Sequence, residues 1–495
     1  MISFPLKSRQ QIRQESRKEV KLSKQLEKAE ARSAIKIKQL LREVLSDNVL
    51  NEIAVKNRFH LRARKLTAFS MIAVLLLGCY NGTEDVSSLE TMCCYLSKWF
   101  NIHMRPQSLQ EQLNSKECAD FVKEVSIRVM MHEGNKVIAK LFRQKKKFKS
   151  NIFQRILLQD SSVISLPETL SRIFRGCGGA ASKAAVKCDI IFDQTSHLIL
   201  RCKCLSGRIP DVSLSEDILS FAEEGDLVIR DLGYFNLSHF TIMKMKKIKF
   251  ISRLRSDVSI YLNENDEKGI DIIEHLEKLR VNAKKIDLDV YIGKKERIHV
   301  RLIGIKVPEE VIKTRIQQYK KARGISKNPS EDLLIWYGYT LMITNITQEQ
   351  MSLDSILKMY RVRWQIELFF KNMKSQLKVD NFTGRNKNRI LCLLYIKLAL
   401  TWISTLLYVL GQMLAGKECI VSSFKFTKWL HNLGGWQNVI TKGDLTELIK
   451  DFKRDQHLLR KQVKKKNKQE NLNEKNGLEH VIDNFLTKIN IQMYA

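Results

Sequence analysis

The sequence predicts an α/β protein whose strand-rich centre is flanked by α-helical N- and C-terminal regions. Three observations carry that prediction. Short runs rich in Ile, Val and Leu gather between residues 153 and 255, as strands require. Residues 1–150 and 391–495 carry their charged and apolar residues at helical spacing instead. Residues 256–339 alternate, with Ile286, Leu288, Val290 and Ile292, then Ile298, Val300 and Leu302, on every second position. The resulting organisation is a helical basic region (1–150), one α/β domain in two parts (151–255 and 340–390), a β-rich insertion (256–339) and a helical C-terminal region (391–495). At 495 residues the chain is long enough for several domains.

Charge narrows the partners. Eighty-five Lys and Arg against 53 Asp and Glu give a net charge of +32. Such a field attracts polyanions, and double-stranded DNA is the expected partner. The charge is spread out: 1–65 hold 17 basic against 7 acidic residues, and runs recur at "RQKKKFK" (143–149) and "KKKNK" (464–468). That distribution suits a grip on long DNA at several places, with the N-terminal helices as a binding region. The ten cysteines show no zinc-finger spacing and read as reduced thiols of a cytoplasmic protein.

Two uncharged stretches reach the lower limit for a membrane span, 66–83 and 398–416. The first ends in a turn-like "NGT", and the second follows Lys397. Basic flanks lie on both sides of each, so both read as core helices and no membrane is expected.

In chain order, 7–45 reads as an exposed basic helix without a broad apolar face. "FQRILLQD" (153–160), "AAVKCDIIFD" (184–193), "HLILRCKCL" (197–205) and "DLVIRD" (226–231) read as four strands. "SEDILSFAEE" (215–224) reads as a short helix capped by Ser215, "NLSHFTIMKMKK" (236–247) as another, and "IKFISRLR" (248–255) as a fifth strand. A helix starts near Pro308, a strand covers 333–343, and Ser352 is placed to cap the helix leading to 360–374.

Three strands, a helix, a strand, a helix and a strand is the order of an RNase H-like domain. Asp160 ends the first strand and Asp231 the fourth, and that topology makes these strands neighbours. A third acid comes from "YRVRWQIELFFKNMK" (360–374). On a continuous helix with Tyr360 at zero, Arg363 falls at about −60°, Glu367 at about −20°, Lys374 at about −40° and Lys371 at about +20°. Ile366, Phe369, Phe370, Met373 and Leu377 fall on a separate apolar arc. Alone, this polar stripe reads as a solvated face with i,i+4 ion pairs such as Glu367 to Lys371. Hard carboxylate oxygens suit Mg²⁺, and nearby cations would hold the phosphates that the carboxylates repel.

"LLQDSSVISLP" (157–167), "IRDLGYF" (229–235) and Tyr360-x2-Arg363-x3-Glu367-x6-Lys374 together resemble the three catalytic boxes of bacterial insertion-sequence transposases, in the insertion-sequence-four family of DDE transposases. The family often inserts a β-rich domain between the second and third boxes, as 256–339 would be here. The resemblance implies that Asp160, Asp231 and Glu367 are catalytic and ligate two Mg²⁺ ions, with Mn²⁺ as a substitute. It implies that Tyr360, Arg363 and Lys374 hold the DNA backbone near the cut. The implied reaction cuts at terminal inverted repeats, then joins the freed 3′-OH groups to target DNA. A homodimer on DNA, at the bacterial nucleoid, goes with it. Several relatives stack a flipped base on a Trp just before the final strand of the insertion; here Tyr339 or Thr340 holds the matching place, and Trp336, slightly upstream, is the candidate, with Tyr339 in reserve.

Other residues keep plainer readings. His239 is a helix residue rather than a ligand, Cys177 a loop thiol, and Arg253 and Arg255 face either DNA or solvent. The rival functions are a repurposed, inactive DNA-binding protein, a nuclease on the same fold, and a membrane-anchored basic protein.

Overall fold

A computed structural model describes residues 34–59, 66–79, 86–132, 134–146, 152–178, 182–282, 285–382, 384–415, 420–432 and 435–460. Most of the N-terminal basic helix and the Lys- and Asn-rich tail lie outside these residues. The described chain divides into two compact units. One holds 34–146, 196–199 and 371–460; the other holds 152–195 and 200–370.

The first unit is helical. Its central helix, Lys387–Leu414, is long and apolar enough to cross a membrane by length and composition. It is nevertheless a core helix, buried from Cys392 to Ser404. Lys397 sits in the middle of it, 2% exposed, and donates to the carbonyls of Lys378 (2.6 Å) and Asn381. A buried ammonium satisfied by backbone carbonyls belongs to a protein interior. The helix Ala68–Gly78 is likewise buried, started by a Thr67–Ser70 capping box. Residues 34–44 correct one expectation: they bury Ile37, Leu40, Leu41 and Val44, an i, i+3, i+4, i+7 stripe that the surrounding charges obscure.

The second unit is built on one nine-stranded sheet. Its strands are β1 (Arg155–Leu166), β2 (Ala184–Asp193), β3 (Leu198–Ser206), β4 (Asp226–Arg230), β5 (Lys249–Arg253), β6 (Ile260–Tyr261), β7 (Lys285–Ile292), β8 (Ile298–Lys306) and β9 (Tyr339–Thr344). The spatial order is β3-β2-β1-β4-β5-β9-β8-β7-β6. β1 runs antiparallel to β2 and parallel to β4, and β4 runs parallel to β5. This half is the RNase H-like arrangement. The strands of 256–339 continue the same sheet, since β9 pairs with both β5 and β8.

One ion pair fixes the register that matters most. Arg155 faces Asp226 across β1 and β4, both are buried, and the guanidinium grips the carboxylate at 2.5 and 2.8 Å. A slip of one residue would separate that pair and turn every β4 side chain to the other face. The same register pairs Gln159 with Arg230, which leaves Asp160 and Asp231 as the next residues on each strand.

Several local expectations are corrected. Asp160 does not end β1 but sits within it, because "SSVIS" keeps pairing with β2 after β4 has turned away. The helix expected over 215–224 is replaced by two 3₁₀ turns, Asp211–Leu214 and Asp217–Ser220. The Leu214 carbonyl accepts from Gln159 (2.9 Å) and the Ser215 carbonyl from Arg230 (2.6 Å), so neither is left for an α-helical ladder. The apolar run 333–343 splits into a helix, Glu331–Tyr337, and β9. Ser330 caps that helix and Glu331 and Asp332 occupy its first turn, signals that outweigh a short apolar run. A helix at Ile272–Asn282 also lies in the segment expected to be partly β.

Candidate active site

The stretch 353–375 is not one helix. Leu353–Tyr360, capped by Ser352, gives way to a 3₁₀ turn at Arg361–Arg363, and Trp364–Ser375 resumes the α-helix. Tyr360 therefore leaves the angle that a continuous helix predicts. Buried Ile366 and Phe370 hold the second helix down, and Phe369 meets Phe192 of β2 at 5.3 Å between ring centres. Phe192 is on the same face of the sheet as Asp160, since their β2 and β1 partners alternate in register. The helix thus brings Glu367 toward the two aspartates.

Arg363 joins them. Its guanidinium lies 2.5 Å from Glu367 Oε1 and 3.5 Å from Asp160 Oδ2. Burial lowers its proton affinity, but the fields of Tyr360, Asp231, Glu367 and Asp160 outweigh this and leave it raised. Asp160 shows the opposite balance. Burial pushes it up to about 6, against the Ser161 N–H (2.8 Å) and Arg363, while Asp231 and Glu367 push the same way as burial. Asp231 opens the 3₁₀ turn Leu232–Tyr234 directly after β4.

Three hard carboxylates fit a divalent cation chemically. Among the described residues, though, no group of three His, Cys, Asp or Glu is spaced to hold one. Arg363 occupies the ground between Asp160 and Glu367.

Tyr360 has a buried hydroxyl next to Arg363, and burial pushes it up to about 12. Lys374 lies seven residues past Glu367 on the same helix, where the chain has entered the other unit. Trp336 is half-buried and lines a cavity of about 790 Å³ with Leu232, Arg253, Arg255, Arg315 and Tyr337. Tyr339 is removed as its alternative: it is 4% exposed and its hydroxyl donates to the Leu276 carbonyl. His239 sits in the helix Leu237–Met245, and Cys177 is an exposed loop thiol.

Sequence reasoning missed a polar layer under the aspartates. Asp189 of β2 is fully buried, accepting from Tyr234 (2.6 Å) and Arg201 (2.8 Å), with the Gln159 amide at 3.3 Å. Tyr234 stands three residues past Asp231, so this bond anchors the turn that carries Asp231. An acid inside the apolar run "AAVKCDIIFD" was the available signal, because a charge in a fully buried strand needs a partner. Tyr234→Phe is expected to cost about 1.5–3 kcal/mol, the range for a bond to a charged group. Cutting should also fall about 10–100-fold, as for other groups that orient a ligand from behind. Denaturation midpoints and cutting rates measure the two; no change in either rejects the anchor.

The strand order β3-β2-β1-β4-β5 defines the RNase H-like class of fold. The family model described as Transposase DDE domain matches residues 151–403, and the chain belongs to that family. It is a DNA transposase of the insertion-sequence-four group. The transposase of insertion sequence element IS1151 from Clostridium perfringens is 27% identical over 74% of this chain and 80% of its own length. That of IS231F from Bacillus thuringiensis subsp. israelensis is 25% identical over 76% of this chain and 81% of its own. The solved synaptic complex of piggyBac transposase with hairpin DNA aligns at TM-score 0.42 and 13% identity, over 88% of this chain and 87% of that one.

Proposed function

We propose that Asp160, Asp231 and Glu367 form the catalytic triad, that the protein cuts DNA at the terminal inverted repeats of its own element, and that it joins the 3′-OH ends to target DNA. The observation that carries this reading is the β1–β4 register, which leaves Asp160 and Asp231 side by side on the face covered by the Glu367 helix. Two Mg²⁺ ions, or Mn²⁺, held by these three residues would activate the attacking oxygen and stabilise the leaving one. Arg363 and Tyr360 hold a backbone phosphate beside the carboxylates, the buried Tyr360 hydroxyl supplying one donor. Lys374 holds a second phosphate, Trp336 takes an unstacked base, and the basic N-terminal region binds the repeats. Two ends per reaction call for a homodimer on DNA, working at the nucleoid.

The test takes matched repeats from the DNA flanking the gene, places them on a labelled duplex, and adds protein, Mg²⁺ and a target plasmid. Cut ends bearing 3′-OH and joined products are expected. Cuts without joining would make the protein a nuclease, and repeat binding without cuts a repurposed binder.

A second measurement separates phosphate contacts from a surface ion pair. Arg363→Ala and Lys374→Ala should each weaken repeat binding and lower the slope of log affinity against log salt by about one unit. An unchanged slope would return either residue to a purely structural role.

A further inference from the structure

Resting on the triad reading above, we propose that Arg363 and the divalent cations compete for the same carboxylates, so that metal enters the triad as a DNA phosphate draws the guanidinium away.

The contacts make the two occupants exclusive. Arg363 reaches Glu367 at 2.5 Å and Asp160 at 3.5 Å, two of the three acids that would have to turn toward an ion. Its planar fork of donors matches two carboxylates, and it matches a phosphate equally well. Charge enforces the exchange. Three carboxylates with one guanidinium carry a net −2, whereas three carboxylates with two divalent ions carry +1. A guanidinium that stayed would then face cations at contact distance in a partly buried site, where like charges repel strongly.

The local structure gives Arg363 somewhere to go. It ends a 3₁₀ turn between two α-helices, so its side chain can swing without unwinding the helix that carries Glu367. The buried Tyr360 hydroxyl lies beside it. A phosphate oxygen arriving there would take a bond from each. Metal and DNA then strengthen each other's binding through one side chain, and the coupling is reciprocal. Arg363 keeps hold of Asp160 and Glu367 until substrate phosphate arrives, which keeps metal-assisted hydrolysis away from stray molecules.

The experiment titrates Mn²⁺ into the full-length protein without DNA and follows free Mn²⁺ by its paramagnetic resonance. Arg363→Ala should bind Mn²⁺ at least ten-fold more tightly than wild type. Arg363→Lys, whose compact head cannot bridge both carboxylates, should fall between them. Adding Asp160→Asn to Arg363→Ala should remove the gain. Equal or weaker binding by Arg363→Ala, still abolished by Asp160→Asn, overturns the competition and leaves the triad standing. Binding indifferent to Asp160→Asn in both backgrounds overturns the triad reading, and the competition with it. If circular dichroism shows Arg363→Ala unfolded, the Lys variant decides: no tighter binding than wild type overturns the proposal.

Discussion

Asp160→Asn, Asp231→Asn or Glu367→Gln, made singly, is expected to abolish Mg²⁺-dependent cutting while repeat binding survives. Each change keeps the shape of the side chain and removes the anionic oxygen. Groups that merely orient metal ligands cost about 10–100-fold when lost, so losing a ligand should exceed about 100-fold. Binding persists because affinity comes from Lys and Arg, of which the chain has 85. Glu367→Gln sharpens the expectation. It takes from Arg363 its nearer partner, at 2.5 Å, and leaves only Asp160 at 3.5 Å, so this variant should bind repeats as well as wild type or better. Gel-shift and cutting assays on one labelled duplex measure both quantities. A variant that cuts at near wild-type rate takes its residue out of the triad.

Much of the fold was legible in the sequence because strands announce themselves by apolar runs, and the family was legible in the spacing of the three boxes. β2 falls on the expected residues, and β3 and β4 come within one residue of theirs. What was not legible depended on partners distant in sequence. The two 3₁₀ turns at 211–220 exist because Gln159 and Arg230 claim their carbonyls, and no pattern within 215–224 reveals that. The break at Arg361–Arg363 is equally silent: "YRVRW" has good helix formers, and only the placement of Arg363 against acids from another strand shows its use. Asp189 and Tyr234 were visible as residue types but not as a pair, since 45 positions separate them. The polar stripe over 360–374 was ambiguous for the same reason. An i,i+4 pair between Arg363 and Glu367 is present, as on any solvated helix, and it is the reach to Asp160 that sets it apart.

Trp336→Ala is expected to weaken repeat binding by about 1–3 kcal/mol, the usual contribution of a stacked base, and to slow cutting in step. Sequence alone put Trp336 on a strand, sharing a face with Thr340. The structure puts it instead in the last turn of the helix Glu331–Tyr337, which ends at Gly338. One side of its ring packs on the core cluster that includes Ile343, and it also lines the cavity that Leu232, the neighbour of Asp231, borders. The surroundings suit a nucleotide. Arg253 reaches the cavity half-buried and, among the described residues, without a carboxylate bonded to it. Arg315 spends its donors on the Tyr337 and Tyr339 carbonyls (2.8 and 2.6 Å) and on Thr340 Oγ1 (2.7 Å), which fixes the turn that follows the Trp. A flat ring and a half-buried arginine lining one cavity can accept a base taken out of its stack. Trp336→Phe retains a flat ring and most of the packing, so it should recover much of what Trp336→Ala loses. Placing 2-aminopurine in turn at each position beside the cut reports unstacking directly. The fluorescence change on binding should be large for wild type, intermediate for Trp336→Phe and small for Trp336→Ala at one position only. An identical change in all three proteins at every position would leave Trp336 a packing residue and nothing more.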